Sequence, residues 1–574
     1  MYTSIKNVQI LISLLKEYNI RRIVISPGGN NIPIIHSVET DPFFTCYSVV
    51  DERSAAYFAM GLSQVSIEPI GILCTSGTAV CNYMPAVTEA YYQRVPLVVI
   101  TSDRSPYLLN QLETQKIDQR TIFGSMVAKE VTLPIVKNDD DEWFCSRLIN
   151  EAFISQKIAG NVPIHINVPT VGNVLEFNGD TLPSVSKIDL VTTDEMQDPN
   201  VLSKYVGIIN KSNRILAVVG ENYLESAELA RNISTFCSYT SAVCLVDHMS
   251  NVEVPSAIPS YRIAETMTDE DFEELSPDLV ITLGNNILSN NFKRFLRQKR
   301  KTIIHWSVDE AGEVRDVFKS LHAIFRCSSN YFFEHFNCNV NKKGINSYYE
   351  KWKAAYLNTK FDNLPFSSLS VIKKLAELIP SSSVVHTAIL NSTRGMNLFN
   401  LKTNIKVFSN IGALGIDGCL STLIGHSFAT DNLCFLIIGD LSFFYDMNSI
   451  GIRGIRNNVR ILLLNNEGGA EFHFNTGKNC VPTLNDYISV KHNKVAEGWV
   501  KSLGFEYIPV RIEEEVEPAL LKLTSESNKP ICVELFTDME KDAMVVKEAI
   551  SNVVSTRSAK NKIKGSLKKI LGRL

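Results

Sequence analysis

The segment Ile438-Gly439-Asp440-Leu441-Ser442 closes one apolar run, and 26 residues after Asp440 a second run, Ile461-Leu-Leu-Leu464, has ended in Asn465-Asn466-Glu467-Gly468-Gly469. Runs that are apolar at every position suit parallel strands covered on both faces. Both polar segments then stand at strand C-terminal ends, where open α/β sheets bind their ligands. Asp440 offers a carboxylate oxygen to a hard cation, Asn466 an amide oxygen, and the following turn a backbone carbonyl at Gly468. Mg²⁺ favours an octahedral oxygen shell and shares it with phosphate oxygens. Gly439 lets a diphosphate approach the backbone, and Ser442 can hydrogen-bond it. Either segment alone reads as a turn closing a strand. Joined at this spacing, they point to a metal-bridged diphosphate.

The same strand-then-helix pattern spreads through the chain. Ile23-Val-Ile-Ser26, Leu97-Val-Val-Ile-Thr101, Ile215-Leu-Ala-Val-Val219, Leu279-Val-Ile-Thr-Leu283 and Ile531-Cys-Val-Glu-Leu535 are further examples. Alternation of this kind builds βαβ units and open parallel sheets. At roughly 150 residues per domain, 574 residues suggest three to four domains. Breaks at Asn178–Asn200 and at about Asn337–Ser367 divide the chain into α/β blocks at 1–182, 196–336 and 368–555, followed by a tail at 556–574.

Composition narrows the class. Hydrophobic residues make up 45% and charged residues 21%, as in a folded chain. A formal net charge of −4 argues against a nucleic-acid partner held by bulk charge. The twelve cysteines include no C-x-x-C pair and read as buried, reduced thiols. No signal peptide is expected at the N-terminus, and no apolar run approaches the roughly 18 residues of a membrane span. A cytoplasmic location is the expectation.

The G-D-x-S and N-N pair resembles the cofactor motif of the thiamine-diphosphate-dependent 2-oxoacid decarboxylase/carboligase family. Within that family the likeness is nearest to the SEPHCHC synthases (MenD) of menaquinone biosynthesis. It is carried by Ser26-Pro-Gly28, Asp51-Glu-Arg53, Thr75-Ser-Gly-Thr-Ala-Val80, Thr101-Ser-Asp-Arg104, Ser409-Asn410, Gly415-Ile-Asp-Gly418, Leu420-Ser-Thr422, and Gly439-Asp-Leu-Ser442 with Tyr445-Asp446. The resemblance implies a pyrimidine-binding domain (1–182), a middle domain (196–336) and a diphosphate-binding domain (368–555). It implies thiamine diphosphate with Mg²⁺ (or Mn²⁺), decarboxylation of a 2-oxoacid, and transfer of what remains to an acceptor. By the same likeness Glu52 is the catalytic acid that protonates the aminopyrimidine ring. Ile416 is the bulky wedge under the cofactor. Gly439, Asp440, Leu441, Ser442 and Asn466 bind the cofactor, and Asp440, Asn466 and Gly468 hold the metal. A homodimer at minimum follows, because in this family Glu52 and Asp440 of one site come from different copies.

The departures concern substrate. These relatives bind anionic substrates through arginines, whose bidentate contacts are poorly replaced. Here their S-P-G-S-R-S reads Ser26-Pro-Gly-Gly29-Asn30-Asn31, and their S-N-R-G reads Ser409-Asn410-Ile411-Gly412. A third arginine aligns with Ser392, and a Lys-Arg pair with Asn290-Asn291, while Arg104 and Gln115 are kept. Glu471 and His473 stand where the family carries apolar substrate contacts. A less anionic 2-oxoacid donor is expected. Three alternatives remain open: an authentic SEPHCHC synthase, an acetolactate-synthase-like or simple decarboxylase, and a non-catalytic cofactor-binding protein.

The tail carries seven basic residues from Arg557 to Arg573 and no acid. Ile563, Leu567, Ile570, Leu571 and Leu574 share one helical face. Such a helix can lie on an anionic membrane surface, so peripheral contact at the inner face of the membrane is an expectation for 557–574.

Overall fold

The computed structural model describes residues 1–190, 199–223, 226–340, 347–476 and 483–571; side chains at 199–201, 474–476 and 560–571 are outside that description. Parts of both interdomain breaks (191–198 and 341–346) and the end of the tail therefore lie outside the described residues.

Three parallel six-stranded sheets follow one another along the chain. The first contains β1 (Arg22–Ile25), β2 (Thr45–Ser48), β3 (Ile70–Cys74), β4 (Leu97–Asp103), β5 (Glu130–Thr132) and β6 (Ile164–Pro169), in the order β2-β1-β3-β4-β6-β5. The second contains β7 (Ile215–Val219), β8 (Val243–Val246), β9 (Ile258–Pro259), β10 (Leu279–Leu283), β11 (Ile304–Val308) and β12 (Leu321–Phe325), in the order β12-β11-β10-β7-β8-β9. The third contains β13 (Val384–Thr387), β14 (Lys406–Phe408), β15 (Cys434–Gly439), β16 (Val459–Asn465), β17 (Glu506–Val510) and β18 (Ile531–Phe536), in the order β14-β13-β15-β16-β18-β17. The central strands β3, β4, β7 and β16 are buried at every position, which is why Leu97–Ile100, Ile215–Val219 and Ile461–Leu464 run apolar without alternation.

The first and third sheets are locked together by helix Glu52–Gln64 packed on helix Cys419–Phe428. Small residues set that contact. A Cβ on Gly61 would fall 2.0 Å from the Thr422 carbonyl oxygen, and one on Gly425 would fall 2.0 Å from that of Phe58. The two backbones therefore touch, and Phe58, Tyr47 and Phe428 close the seam. The second sheet docks through His248, whose ring nitrogen lies 3.2 Å from the Met396 carbonyl and 2.8 Å from that of Phe399.

Two segments differ from the sequence reading. The break at 337–367 contains the helix Ser347–Leu357, whose Tyr348 and Trp352 are buried in the core of the second sheet. The tail is no separate element: one helix runs from Met539 to Leu571. Arg557, counted among the membrane-facing charges, is instead buried. It donates to the Thr266 carbonyl and pairs with Asp271 at 2.9 Å. A cation held in this way is withdrawn from any surface.

Candidate active site

Register brings the two motif segments together. In the β15–β16 pair Gly439 lies opposite Leu464, so Asp440 and Asn465-Asn466 leave the sheet side by side. Between β13 and β15 the strand order reverses, which creates the crevice where open sheets bind ligands. A cavity of about 740 Å³ occupies that crevice. Its floor comprises Ile416, Gly439, Asp440, Leu441, Ser442, Asn466 and Gly468.

Asp440 is buried, with one carboxylate oxygen accepting from the Leu441 N–H at 2.6 Å and the other from the Gly468 N–H at 3.0 Å. The turn after Asn466 depends on unusual backbone: Glu467 has φ 68° and Gly468 has φ 150°. A Cβ on Gly468 would also fall 2.7 Å from the Ser489 carbonyl oxygen, so glycine is required there. The Asn466 amide nitrogen donates to Asp542 at 3.1 Å, which fixes the orientation of the amide. Ser442 Oγ donates to the Ile416 carbonyl at 2.7 Å and ties the Ile416 loop to the strand end. Carboxylate, amide and carbonyl oxygens form the set a hard cation takes. A Cβ on Gly439 would meet nothing within 4 Å, which leaves open space at the end of β15. The residues present fit Mg²⁺ and a diphosphate.

The cavity wall is made by other segments. After β13, Leu390 has φ 64°, a strained value for a branched side chain, and the helix Asn391–Met396 begins. Ser392 is buried and lines the cavity, and two residues on Arg394 does too. Arg394 Nη1 donates to Glu471 Oε1 at 2.5 Å. Burial opposes the charge on Arg394, but the Glu471 carboxylate outweighs it and holds the guanidinium pKa above its usual value. Opposite stand Tyr261, Glu265, Asn290 and Asn291 from the second sheet's region. Burial pushes the Glu265 carboxyl up, while Ser289 Oγ at 2.8 Å and the Asn291 amide at 2.7 Å counter this in part.

Other sequence-derived candidates lie elsewhere. Glu52 opens its helix at the seam with the third sheet, outside the cavity lining. Its neighbours anchor it: Asp51 accepts from Asn448 at 2.7 Å, and Arg53 donates to the Tyr445 carbonyl at 3.0 Å. Asp446 is buried beneath them; burial pushes its carboxyl up to about 7, against the pull of Ser421 and Arg53. The Asn30 amide donates to Ser76 Oγ at 2.6 Å. Arg104 is engaged by the Thr114 carbonyl at 2.5 Å and by Glu113 at 3.0 Å, and Gln115 is exposed with φ 53°. Ile411 is a core residue rather than a lining one. His473 faces Asn485 at 3.0 Å and also lies outside the lining. Sequence reasoning missed Arg394, Glu265, Tyr261 and His492. His492 is half-buried, with Nε2 3.4 Å from Asp440. Arg394 had a signal, two residues past Ser392 on the same helix; the other three had no local motif.

Comparison with known proteins now bears on this geometry. Residues 5–122 match the family model "Thiamine pyrophosphate enzyme, N-terminal TPP binding domain". The chain is 37% identical over 555 residues to the 2-succinyl-5-enolpyruvyl-6-hydroxy-3-cyclohexene-1-carboxylate synthase of Phocaeicola vulgatus, covering 96% of this chain and 98% of that one. It is 37% identical over 560 residues to the Bacteroides fragilis protein of the same name, covering 96% and 99%.

The chain belongs to this SEPHCHC synthase family.

It is accordingly a thiamine-diphosphate- and Mg²⁺-dependent enzyme of the decarboxylase/carboligase kind. The solved benzoylformate decarboxylase of Polynucleobacter necessarius superposes with a TM-score of 0.68 at 15% identity, covering 94% of this chain and 99% of that chain. At that identity the likeness shows the fold, and the α/β architecture of three parallel sheets agrees with it. Among the described residues no helix is long and apolar enough to cross a membrane, and the described cysteines are free thiols.

Proposed function

We propose that the chain acts as a homodimer at minimum, decarboxylating a 2-oxoacid and joining the remaining acyl unit to an acceptor carbon in a cavity completed by a second copy. One observation carries this reading. Asp440, Asn466, Gly468 and Ile416 meet in one cavity, while Glu52, Asn30, Arg104 and Gln115 of the same chain are not among its described lining residues. Thiamine diphosphate, when bound, supplies the carbon nucleophile and the electron sink for loss of CO₂. Asp440, Asn466 and the Gly468 carbonyl would hold the metal, with Gly439, Leu441 and Ser442 facing the diphosphate. Ile416 would prop the cofactor from below. Glu52 of a second copy would hold a proton toward the aminopyrimidine ring.

The donor in this reading is a less anionic 2-oxoacid such as pyruvate. Asn290, Asn291 and Ser392 line the wall without charge, and Arg394 is already engaged by Glu471. A second reading keeps the reaction in the relatives' name, with 2-oxoglutarate and isochorismate as substrates; identity along nearly the whole chain favours it. Location in the cytoplasm belongs to the same proposal, supported by the free thiols. The test is CO₂ release from pyruvate and from 2-oxoglutarate by protein stripped and reloaded with thiamine diphosphate and Mg²⁺. Release should need both cofactors and be more efficient with pyruvate. Higher efficiency with 2-oxoglutarate supports the second reading, and no release from either acid overturns both.

A further inference from the structure

Glu471 follows Gly468 by three residues and, like Asp440, lines the cavity, where a carboxylate is costly to bury. Both are nearly withdrawn from solvent, at 8% and 1% exposure. The cost is met by two partners from the opposite strand end. Arg394 lies at 2.5 Å from one carboxylate oxygen. The Asn391 amide, turned so that its nitrogen donates, lies at 2.7 Å from the other. Glu265 acts on the same guanidinium through space from the second sheet's side. Arg394 is the only basic side chain among the described residues lining the cavity. Its charge is therefore spent inside the protein, while a third of the side chain still reaches the cavity.

We propose that Glu471 is the specificity-determining residue of this cavity: by pairing with Arg394 it denies that guanidinium to a substrate carboxylate, so the wall accepts an uncharged, hydrogen-bonding group in place of a second carboxylate. The substrate part against this wall is then the side chain of a monocarboxylic 2-oxoacid or a hydroxylated stretch of acceptor. A dicarboxylic donor would have to displace Glu471 from Arg394 and leave its carboxylate buried without a cationic partner, and pairs broken in this way are the costly ones. The inference rests on the proposed function for the reaction, but the pairing can be tested without turnover.

Two readouts separate the possibilities. The first is kcat/KM for 2-oxoglutarate divided by that for pyruvate, using cofactor-loaded protein. Glu471→Gln should raise this ratio about 10- to 150-fold, the worth of one charge-assisted hydrogen bond. Glu471→Asp should keep the wild-type preference, because it restores the charge. The double variant Glu471→Gln with Arg394→Gln should lose the gain. The second readout is the affinity of the loaded protein for glutarate, a dicarboxylate that cannot be decarboxylated. It should tighten in Glu471→Gln and return to the wild-type value in the double variant. Should wild-type protein decarboxylate neither 2-oxoacid, the proposed function fails while the glutarate measurement still decides the role of Glu471. An unchanged ratio and affinity in Glu471→Gln, an equal loss with both donors, or a gain that survives removal of Arg394 would overturn the proposal.

Discussion

The floor and the wall of the cavity are built in opposite ways. The floor is backbone: two neighbouring strands end in register, a glycine turn takes φ values that side chains resist, and Asp440 is held by the main-chain N–H groups of Leu441 and Gly468. The wall consists of side chains holding side chains. Arg394, Asn391, Glu471, Glu265 and Asn291 come from four separated segments and are fixed by one another. A backbone-built site tolerates little substitution, whereas a wall of mutually paired side chains can exchange charges while the fold stays the same.

Disabling the chemistry while leaving floor and wall intact should cost the most activity. Glu52→Gln should bind cofactor normally and lose about 10²- to 10⁴-fold in kcat, the usual contribution of a positioned general acid. Near-wild-type turnover would remove Glu52 from the mechanism. Mixing Glu52→Gln protein with Asp440→Ala protein, under conditions that allow subunits to exchange, should restore activity that neither has alone. Failure to do so in demonstrably mixed dimers would place the whole site within one copy.

A smaller effect tests the floor directly. Asp440→Ala should remove the stabilisation that thiamine diphosphate and Mg²⁺ give the wild-type protein, about 2.7 kcal/mol with ligand at a hundred times its dissociation constant. If the thermal shift survives in the variant, the floor does not hold the metal through Asp440. A comparable shift in Glu471→Gln should remain intact, since the wall takes no part in metal binding.

What could be read from the sequence follows this same division. The three parallel sheets were legible because central strands buried on both faces have no polar alternation, as in Leu97–Asp103 and Val459–Asn465. Gly439–Ser442 and Asn466–Gly468 could be read together because they sit within a few positions of two strand ends, whereas Ile416 lies between β14 and β15 and was named by resemblance alone. The wall was only half legible. Ser392, Glu471, Asn290 and Asn291 do line the cavity, but Ile411 is core, His473 points to Asn485, and the guanidinium in the described lining is that of Arg394. Tyr261, Glu265 and His492 reach the site through tertiary packing that no local spacing encodes. The Ser347–Leu357 helix was obscured because its polar residues face outward and only Tyr348, Trp352 and Ala355 enter the core.

The seam between the first and third sheets gives a more modest effect. Gly61→Ala should destabilise the protein by about 1–3 kcal/mol, the usual result of overpacking a tight core, because the added carbon meets the Thr422 backbone rather than a movable side chain. Gly498→Ala, where a Cβ meets nothing within 4 Å, is the matched control. Equal midpoints in denaturant for the two variants would mean that the seam is loose.

The smallest effect concerns the far end of the Met539–Leu571 helix, whose charge pattern from Lys560 onward belongs to neither floor nor wall. Arg557 is committed to Asp271 and Thr266, so a truncation meant to test surface contact should begin after it. Removing 560–574 takes away six basic residues and keeps that anchor. Each basic residue near an anionic bilayer is worth about 1 kcal/mol, less as salt rises. Full-length protein should therefore sediment with anionic vesicles at low salt and release at moderate salt, while the truncated protein stays in solution. CO₂ release should be the same for both, because the deleted residues carry none of the floor. Identical sedimentation of the two proteins on anionic vesicles would assign the tail no membrane role, and a fall in CO₂ release would mean that the helix end supports the cavity from outside.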